Sequence, residues 1–327
     1  MINNNTLDGF FLYRIFCLLF ALVFAFILCY LPIEQLVDRN NYLVYSSFSS
    51  EILSSRFNNG LISFLFNEPF WLFVNLFLSS VFSAENTVRI IIFFSTFITF
   101  YLVLANFEPK FLLLLLLFLF LPQVLKNNVI HLRQGLAIAL FLVGWFSNNS
   151  KSKLFFLCLA ALVHTSFIIV GFGMFLVDFL SRIRVSNGIK NLIYVVVGIL
   201  IAIFGLVIAS TFGARQAERY AEVSANISGF GFVFWSGVFF LYLSQGKDFV
   251  TRNSYSLFFI LLYLATYFTL PVTGRVLESV LLIILLSSLE LKKWKKLLFI
   301  TVYTLYFFLN WLPRLGQPWF GWGISNY

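Results

Sequence analysis

Apolar residues run almost unbroken along this chain, in stretches near 10–31, 88–107, 109–125, 132–148, 153–163, 166–181, 190–211, 230–245, 254–270, 274–290 and 296–312, with short polar joints between them. Many of these runs approach or reach the roughly 17–25 residues that cross a bilayer as a helix. The pattern predicts an all-α, polytopic integral membrane protein with about eleven transmembrane helices, residues 1–327 forming one transmembrane domain. Residues 32–87 break the pattern and are expected to be the first external loop, carrying surface helices. Pro69–Phe82 is apolar for only 14 residues and follows an acid, so it reads as a helix lying in the interface rather than a span. Leu154–Leu180 is expected to break near His164-Thr165-Ser166 into two short helices. The stretch Phe10–Leu31 is too long for the core of a signal peptide and no small-residue cleavage site follows it, which predicts a retained anchor.

Composition narrows the class further. The chain is 61% hydrophobic and 11% charged, against about 25% charged in soluble domains. Almost nothing is left over for a soluble part. The net charge of +9 lies mostly in short loops, where Lys and Arg set topology, and no nucleic-acid-binding motif accompanies it. Cys17, Cys29 and Cys158 all fall in apolar runs, too scattered for a disulfide framework or a zinc site. Two histidines without carboxylates at ligand spacing define no metal site, and no cofactor signature is present.

Charge also gives an orientation. With a cytoplasmic N-terminus and eleven spans, Lys110, Lys151, Lys153, Lys190, Lys247 and the cluster Lys292, Lys293, Lys295 and Lys296 all face the cytoplasm. Nine of ten lysines then lie inside, whereas eight of twelve arginines lie outside: Arg39, Arg56, Arg89, Arg133, Arg215, Arg219, Arg275 and Arg314. Lysine suffices as a topological point charge, while arginine binds phosphate and carboxylate bidentately. An arginine-rich outer face in a lipid-embedded protein predicts an anionic ligand there, such as a phospholipid or a lipid-linked pyrophosphate.

Several external residues carry candidate chemistry. The first loop holds five of the thirteen carboxylates; Asp38 and Glu68 stand out because aromatic-rich segments beside them should shield them, and Tyr42 lies close by. A shielded carboxylate can act as a general base. Arg89 opens the second span. Arg133 and Gln134 open the fourth, where free helix N–H groups and an arginine together make an anion site. His164 sits at the expected helix break and can serve as a base or a donor. Arg215 and Arg219 are spaced to share one helix face, and Arg275 stands at an outer helix end with Glu278 one turn on. Each has a plainer reading as an interfacial anchor, a solvated loop charge or, for Arg275 and Glu278, a structural pair.

An ordered set of motifs resembles the EpsG family of bacterial exopolysaccharide proteins, grouped with Wzy-type polysaccharide polymerases. The set is Asp38-x3-Tyr42-x2-Tyr45-x2-Phe48, Glu68-Pro69-x5-Asn75, Arg133-Gln134-Gly135-Leu136-Ala137-Ile138-Ala139, His164-Thr165-Ser166, Arg219-Tyr220 and Gly274-Arg275-Val276. The first third is also similar to the GT-C class of membrane glycosyltransferases: an acid after the first span, surface helices, then an arginine opening the second span. Asp38, segment 69–82 and Arg89 match. One departure is Glu278, where family members often carry an aromatic residue.

The resemblance implies a GT-C-like glycosyltransferase, metal-independent, in the bacterial inner membrane with its site facing outward. It implies a polymerase joining oligosaccharide repeat units linked to undecaprenyl pyrophosphate, with membrane lipids and a chain-length regulator as further partners. On that reading Asp38 is the expected base, with His164 as the alternative. Arg133, Arg219 and Arg275 hold pyrophosphate with Arg89 in support, and Gln134, Tyr220, Glu68 and Tyr42 contact pyrophosphate or glycan. Two other classes fit a cationic outer face: a GT-C transferase adding one sugar from a polyprenyl-phosphate donor, and a flippase for lipid-linked sugars. The flippase should show inverted repeats, and none is visible.

Overall fold

The computed structural model describes residues 4–212 and 229–324. Helices account for nearly all of it, with no strand among the described residues and one isolated antiparallel bridge between Leu36 and Gly323. Helix α1 (Asn4–Cys29) shows why. It buries a stripe of Tyr13, Cys17, Ala21, Ala25 and Leu28 and exposes Phe11, Leu19, Val23 and Ile27. In lipid no hydrophobic drive pulls helices together, so small residues that allow close van der Waals approach decide the interface. That stripe packs along α6 (Ala84–Ala105), and the Tyr13 hydroxyl donates to the Leu104 carbonyl at 3.1 Å.

Residues 32–87 fold into four short helices before α6: α2 (Arg39–Ser47), α3 (Ser49–Asn58), α4 (Leu61–Phe66) and α5 (Pro69–Ser79). Pro69 opens α5, where its missing N–H costs nothing. Ser83 caps α6 by accepting from the Asn86 N–H at 3.3 Å. The apolar run near 109–125 is not one rod. It divides into α7 (Leu112–Leu119) and α8 (Pro122–Val129), with a bend of 69° over Pro109–Val129. Pro122 cannot donate into the preceding turn and forces Leu121 out of the helical region. Helix α9 (Leu132–Trp145) follows after two residues, then α10 (Ser150–Val163), capped by the Asn149 side chain on the Lys151 N–H at 2.9 Å. The expected break is present: His164 is extended (φ −149°, ψ 121°) and α11 (Ser166–Arg182) begins two residues later.

Four stretches, Gly9–Cys29, Ala84–Ala105, Asn187–Ile208 and Lys293–Arg314, are long and apolar enough to cross a membrane on their own. Several other apolar helices are shorter. Helix α9, with 14 residues, extends ~21 Å. The chain is therefore an all-helical polytopic membrane protein.

The packing resolves into two units. The first comprises 1–55, 68–164 and 309–327. In it α6 packs on α1 and α9, α9 on α8 and α10, and α2 and α5 pack on each other, with α5 also against α10. The second comprises 56–67 and 165–308. In it α11, α12 (Asn187–Thr211) and the helices Phe230–Ser244 and Thr273–Ser287 all pack on Ser254–Thr266. Hydroxyl pairs join its helices: Ser256 with Ser287 at 2.6 Å and Ser166 with Ser279 at 2.8 Å. Such pairs satisfy polar groups that lipid cannot.

Candidate functional site

The site of the first unit is built around Glu68. This residue stands just before α5 in a left-handed backbone conformation (φ 61°, ψ 54°), uncommon for a residue with a β-carbon. Its carboxylate is buried, with the residue 2% exposed, and both oxygens are engaged. Oε2 accepts from Arg133 Nη1, in the first turn of α9. Oε1 meets His164 Nδ1 at 2.7 Å. Three charged or titratable side chains thus converge from a helix start, a second helix start and a helix break. An arginine and a glutamate buried singly would be costly, and each offsets part of the other's penalty.

Burial by itself pushes the Glu68 carboxyl up, but the Arg133 charge and the His164 bond outweigh it and hold the group down at about 2. Glu68 is therefore an anion at neutral pH and can only accept. Its bond to His164 then requires a proton on Nδ1, which leaves Nε2 as the acceptor in a neutral ring. Nε2 has no partner among the described residues, and the side chain keeps 5% exposure.

An aromatic wall flanks this cluster. Tyr42 and Tyr45 on α2 meet Trp71 on α5 edge-on, with ring centroids at 5.5 and 6.3 Å. The Arg133 guanidinium lies over the Tyr45 ring at 5.5 Å, a cation–π contact, and its charge acts on Tyr42. Burial raises the Tyr42 hydroxyl above its usual value, opposed by Arg133. Trp71 Nε1 and Asn75 Oδ1 are buried without a partner among the described residues, while Asn75 Nδ2 donates to the Trp71 carbonyl at 2.8 Å. Arg133 remains 20% exposed.

Four of the expected residues, Tyr42, Glu68, Arg133 and His164, therefore form one cluster. Gln134 lies beside it in sequence and is buried. Asp38 is also in a left-handed conformation (φ 64°) before its helix. It is half-exposed rather than shielded, accepts weakly from Asn41 at 3.4 Å, and acts on Tyr42 only through its charge. Arg89 is directed elsewhere: Nη1 donates to the Cys29 carbonyl at 2.6 Å, and Nη2 pairs with Glu85 at 2.5 Å. Those contacts fasten α6 to the end of α1. Arg275 belongs to the second unit, in the first turn of Thr273–Ser287, where its carbonyl accepts from Ser279. Arg215, Arg219 and Tyr220 lie outside the described residues.

Sequence reasoning passed over Arg39. Its side chain is wholly buried and faces carbonyls alone: Nε to Val129 at 2.8 Å, Nη1 to Leu31 at 2.9 Å and Nη2 to Leu28 at 3.4 Å. It closes the C-terminal ends of α1 and α8, where free carbonyls carry partial negative charge. Burial, then the neighbouring Arg89, lower it to about 10, so it stays charged at neutral pH. The role of Gly135 was also hidden. Seen in sequence it is one letter of Arg-Gln-Gly; in the fold it is the point where α9 meets the backbone of α8.

A signal for the central cluster did exist. Glu68, Arg133 and His164 are the polar members of three apolar helix ends, and charges in such places need partners. Nothing in the chain order says that they are partners of one another. Among the described residues no three of His, Cys, Asp and Glu stand together as metal ligands. No curated protein and no solved structure matches the chain. The profile of the EpsG family matches it over residues 10–322.

Proposed function

The chain belongs to the EpsG family, whose members are Wzy-type polymerases, and we propose that it polymerises a polysaccharide at the outer face of the bacterial inner membrane. The growing glycan, held on undecaprenyl pyrophosphate, is transferred to a hydroxyl of the next lipid-linked repeat unit. The observation that carries this reading is the buried Glu68–Arg133–His164 cluster against Tyr42, Tyr45 and Trp71. It joins a cation, a proton acceptor and aromatic faces in one place.

The chemistry asks little more. A lipid pyrophosphate already departs readily, so the protein must mainly orient the two reactants and stabilise phosphate charge. Arginine has five donors. With Nη1 on Glu68, the exposed part of Arg133 retains donors for a phosphate oxygen, at the start of α9 where the helix end also favours an anion. Arg219, Tyr220 and Arg275 keep the ligand roles that the family motifs give them. A GT-C-like arrangement is in keeping with the acid, surface helices and arginine of the first third.

The test uses the purified protein in liposomes with defined lipid-linked repeat units. A ladder of products supports a polymerase, addition of one sugar a single-step transferase, and transbilayer movement without new bonds a flippase. Arg133→Ala and Arg275→Ala should each abolish the ladder, measured per mole of folded protein in the liposomes. Wild-type chain lengths in either variant remove the ligand role of that arginine.

A further inference from the structure

Glu68 stands in the family motif as one more polar residue, but its geometry gives it a narrower task. One carboxylate oxygen takes Arg133 and the other takes His164 Nδ1 at 2.7 Å. No oxygen is left over to receive a proton from a sugar hydroxyl. A carboxylate flanked in this way is also a poor base, since the arginine opposes its protonation. The imidazole is differently placed. Its Nδ1–H is fixed by Glu68, its Nε2 is unbonded among the described residues, and its side chain keeps 5% exposure. His164 projects from the extended residue between α10 and α11 rather than from a helix face, so its orientation depends on Glu68.

We propose that His164 Nε2 is the general base of glycosyl transfer and that Glu68 is its positioning residue, holding the imidazole in the Nδ1–H tautomer. The proposal rests on the polymerase reading for the identity of the reaction. In the step, the acceptor hydroxyl oxygen forms a bond to the anomeric carbon of the donor glycan. The bond from that carbon to the pyrophosphate oxygen breaks, and its electron pair leaves on the pyrophosphate. The hydroxyl proton passes to Nε2, giving an imidazolium that donates through Nδ1 to the Glu68 carboxylate and later returns its proton to water. Asp38, half-exposed and linked to this group only by charge through Tyr42, is not needed as the base. Among the described residues, Glu68 at the start of α5 faces the imidazole, and Arg133 on α9 pairs with Glu68 in turn, with Tyr42 and Tyr45 on α2 beside that arginine.

The chain contains only two histidines, His131 and His164, which makes the ring directly observable. The experiment is a 15N NMR titration of full-length, 15N-histidine-labelled protein in lipid nanodiscs, with His131→Gln to assign the signals. His164 should be neutral with its proton on Nδ1 above its titration and become an imidazolium below it. In Glu68→Gln the Nδ1–H preference should be lost and, with the neighbouring anion gone, the titration should move to lower pH; Glu68→Asp should restore most of both. In the liposome assay His164→Ala should lower kcat by about 10²–10⁴-fold. Glu68→Gln should lower kcat and move the acid limb of the kcat–pH profile the same way as the NMR titration. If Glu68→Gln alone fails to fold, Glu68→Gln with Arg133→Gln removes both buried charges and gives the NMR readout.

A neutral His164 carrying its proton on Nε2, or a titration and acid limb unmoved by loss of the Glu68 charge, overturns the proposal. A protein that shows the Nδ1–H tautomer but joins no repeat units overturns the polymerase reading and leaves the positioning of His164 by Glu68 intact. The two failures are thus told apart.

Discussion

The carbonyl oxygen of Asn127 lies 2.1 Å from the point where a β-carbon on Gly135 would stand, and the Asn127 carbonyl carbon lies at 2.9 Å. Both are backbone atoms, so no side-chain rotation relieves the clash. Gly135→Ala should gain up to about 1 kcal/mol of helix propensity and lose more by overpacking, which typically costs about 1–3 kcal/mol. The expected result is a lower melting temperature in detergent and a displaced Arg133, two residues earlier on α9. A variant that melts at or above the wild-type temperature would show that α8 and α9 can part without loss.

Arg39 predicts a larger effect. Its three donors serve carbonyls of Val129, Leu31 and Leu28, and hydrogen bonds to a charged group contribute about 1.5–3 kcal/mol each. The contributions do not add fully, so Arg39→Ala should lose about 3 kcal/mol or more. Arg39→Lys keeps the charge without the planar fork and should recover only part of the loss. Melting of both variants beside the wild type gives the comparison.

Acid stability should report on Glu68. Its folded value of about 2 lies below the ordinary 4.5, so the folded state holds its proton more weakly than the unfolded chain. The resulting stability is complete above pH 4.5 and is lost as pH falls toward and through 2. Between pH 5 and 2 the melting temperature of the wild type should fall more steeply than that of Glu68→Gln. Parallel curves would mean that Glu68 gains nothing from its partners.

Arg89 should behave as a fastener. Glu85 is well exposed, and pairs of that kind are worth about 1 kcal/mol or less; the bond to the Cys29 carbonyl adds a similar amount. Arg89→Gln is expected to melt slightly lower and to make polymer of unchanged length distribution on a gel. Loss of polymer at full protein level would restore Arg89 to the pyrophosphate site.

Much of this was legible in the chain. Hydropathy gave the helical membrane protein, the short helix after Glu68-Pro69 and the break at His164-Thr165-Ser166, because each follows from local composition. The bend at Leu121-Pro122 was equally local, and only the apolar length of the run concealed it. What could not be read was pairing. Glu68 lies 65 residues from Arg133 and 96 from His164, and charge counting treats all external cations alike. It therefore grouped Arg89, which holds a helix end, with Arg133, which holds a carboxylate. It singled out Asp38 and passed over Arg39 beside it, since a wholly buried arginine satisfied by carbonyls has no counter-charge in the sequence to betray it.

Asp38 and Glu68 share one more property: each occupies a left-handed corner immediately before a helix. Glycine would sit at such a corner without strain. At position 38, where the side chain is half-exposed and carries no ion pair among the described residues, Asp38→Gly should therefore yield a sturdier protein by up to about 1 kcal/mol. The wild-type chain keeps an acid where its own backbone would be more at ease without one. A gain in melting temperature with polymer unchanged would agree with His164 rather than Asp38 as the base, and a drop in polymer would return the acid at that corner to the chemistry.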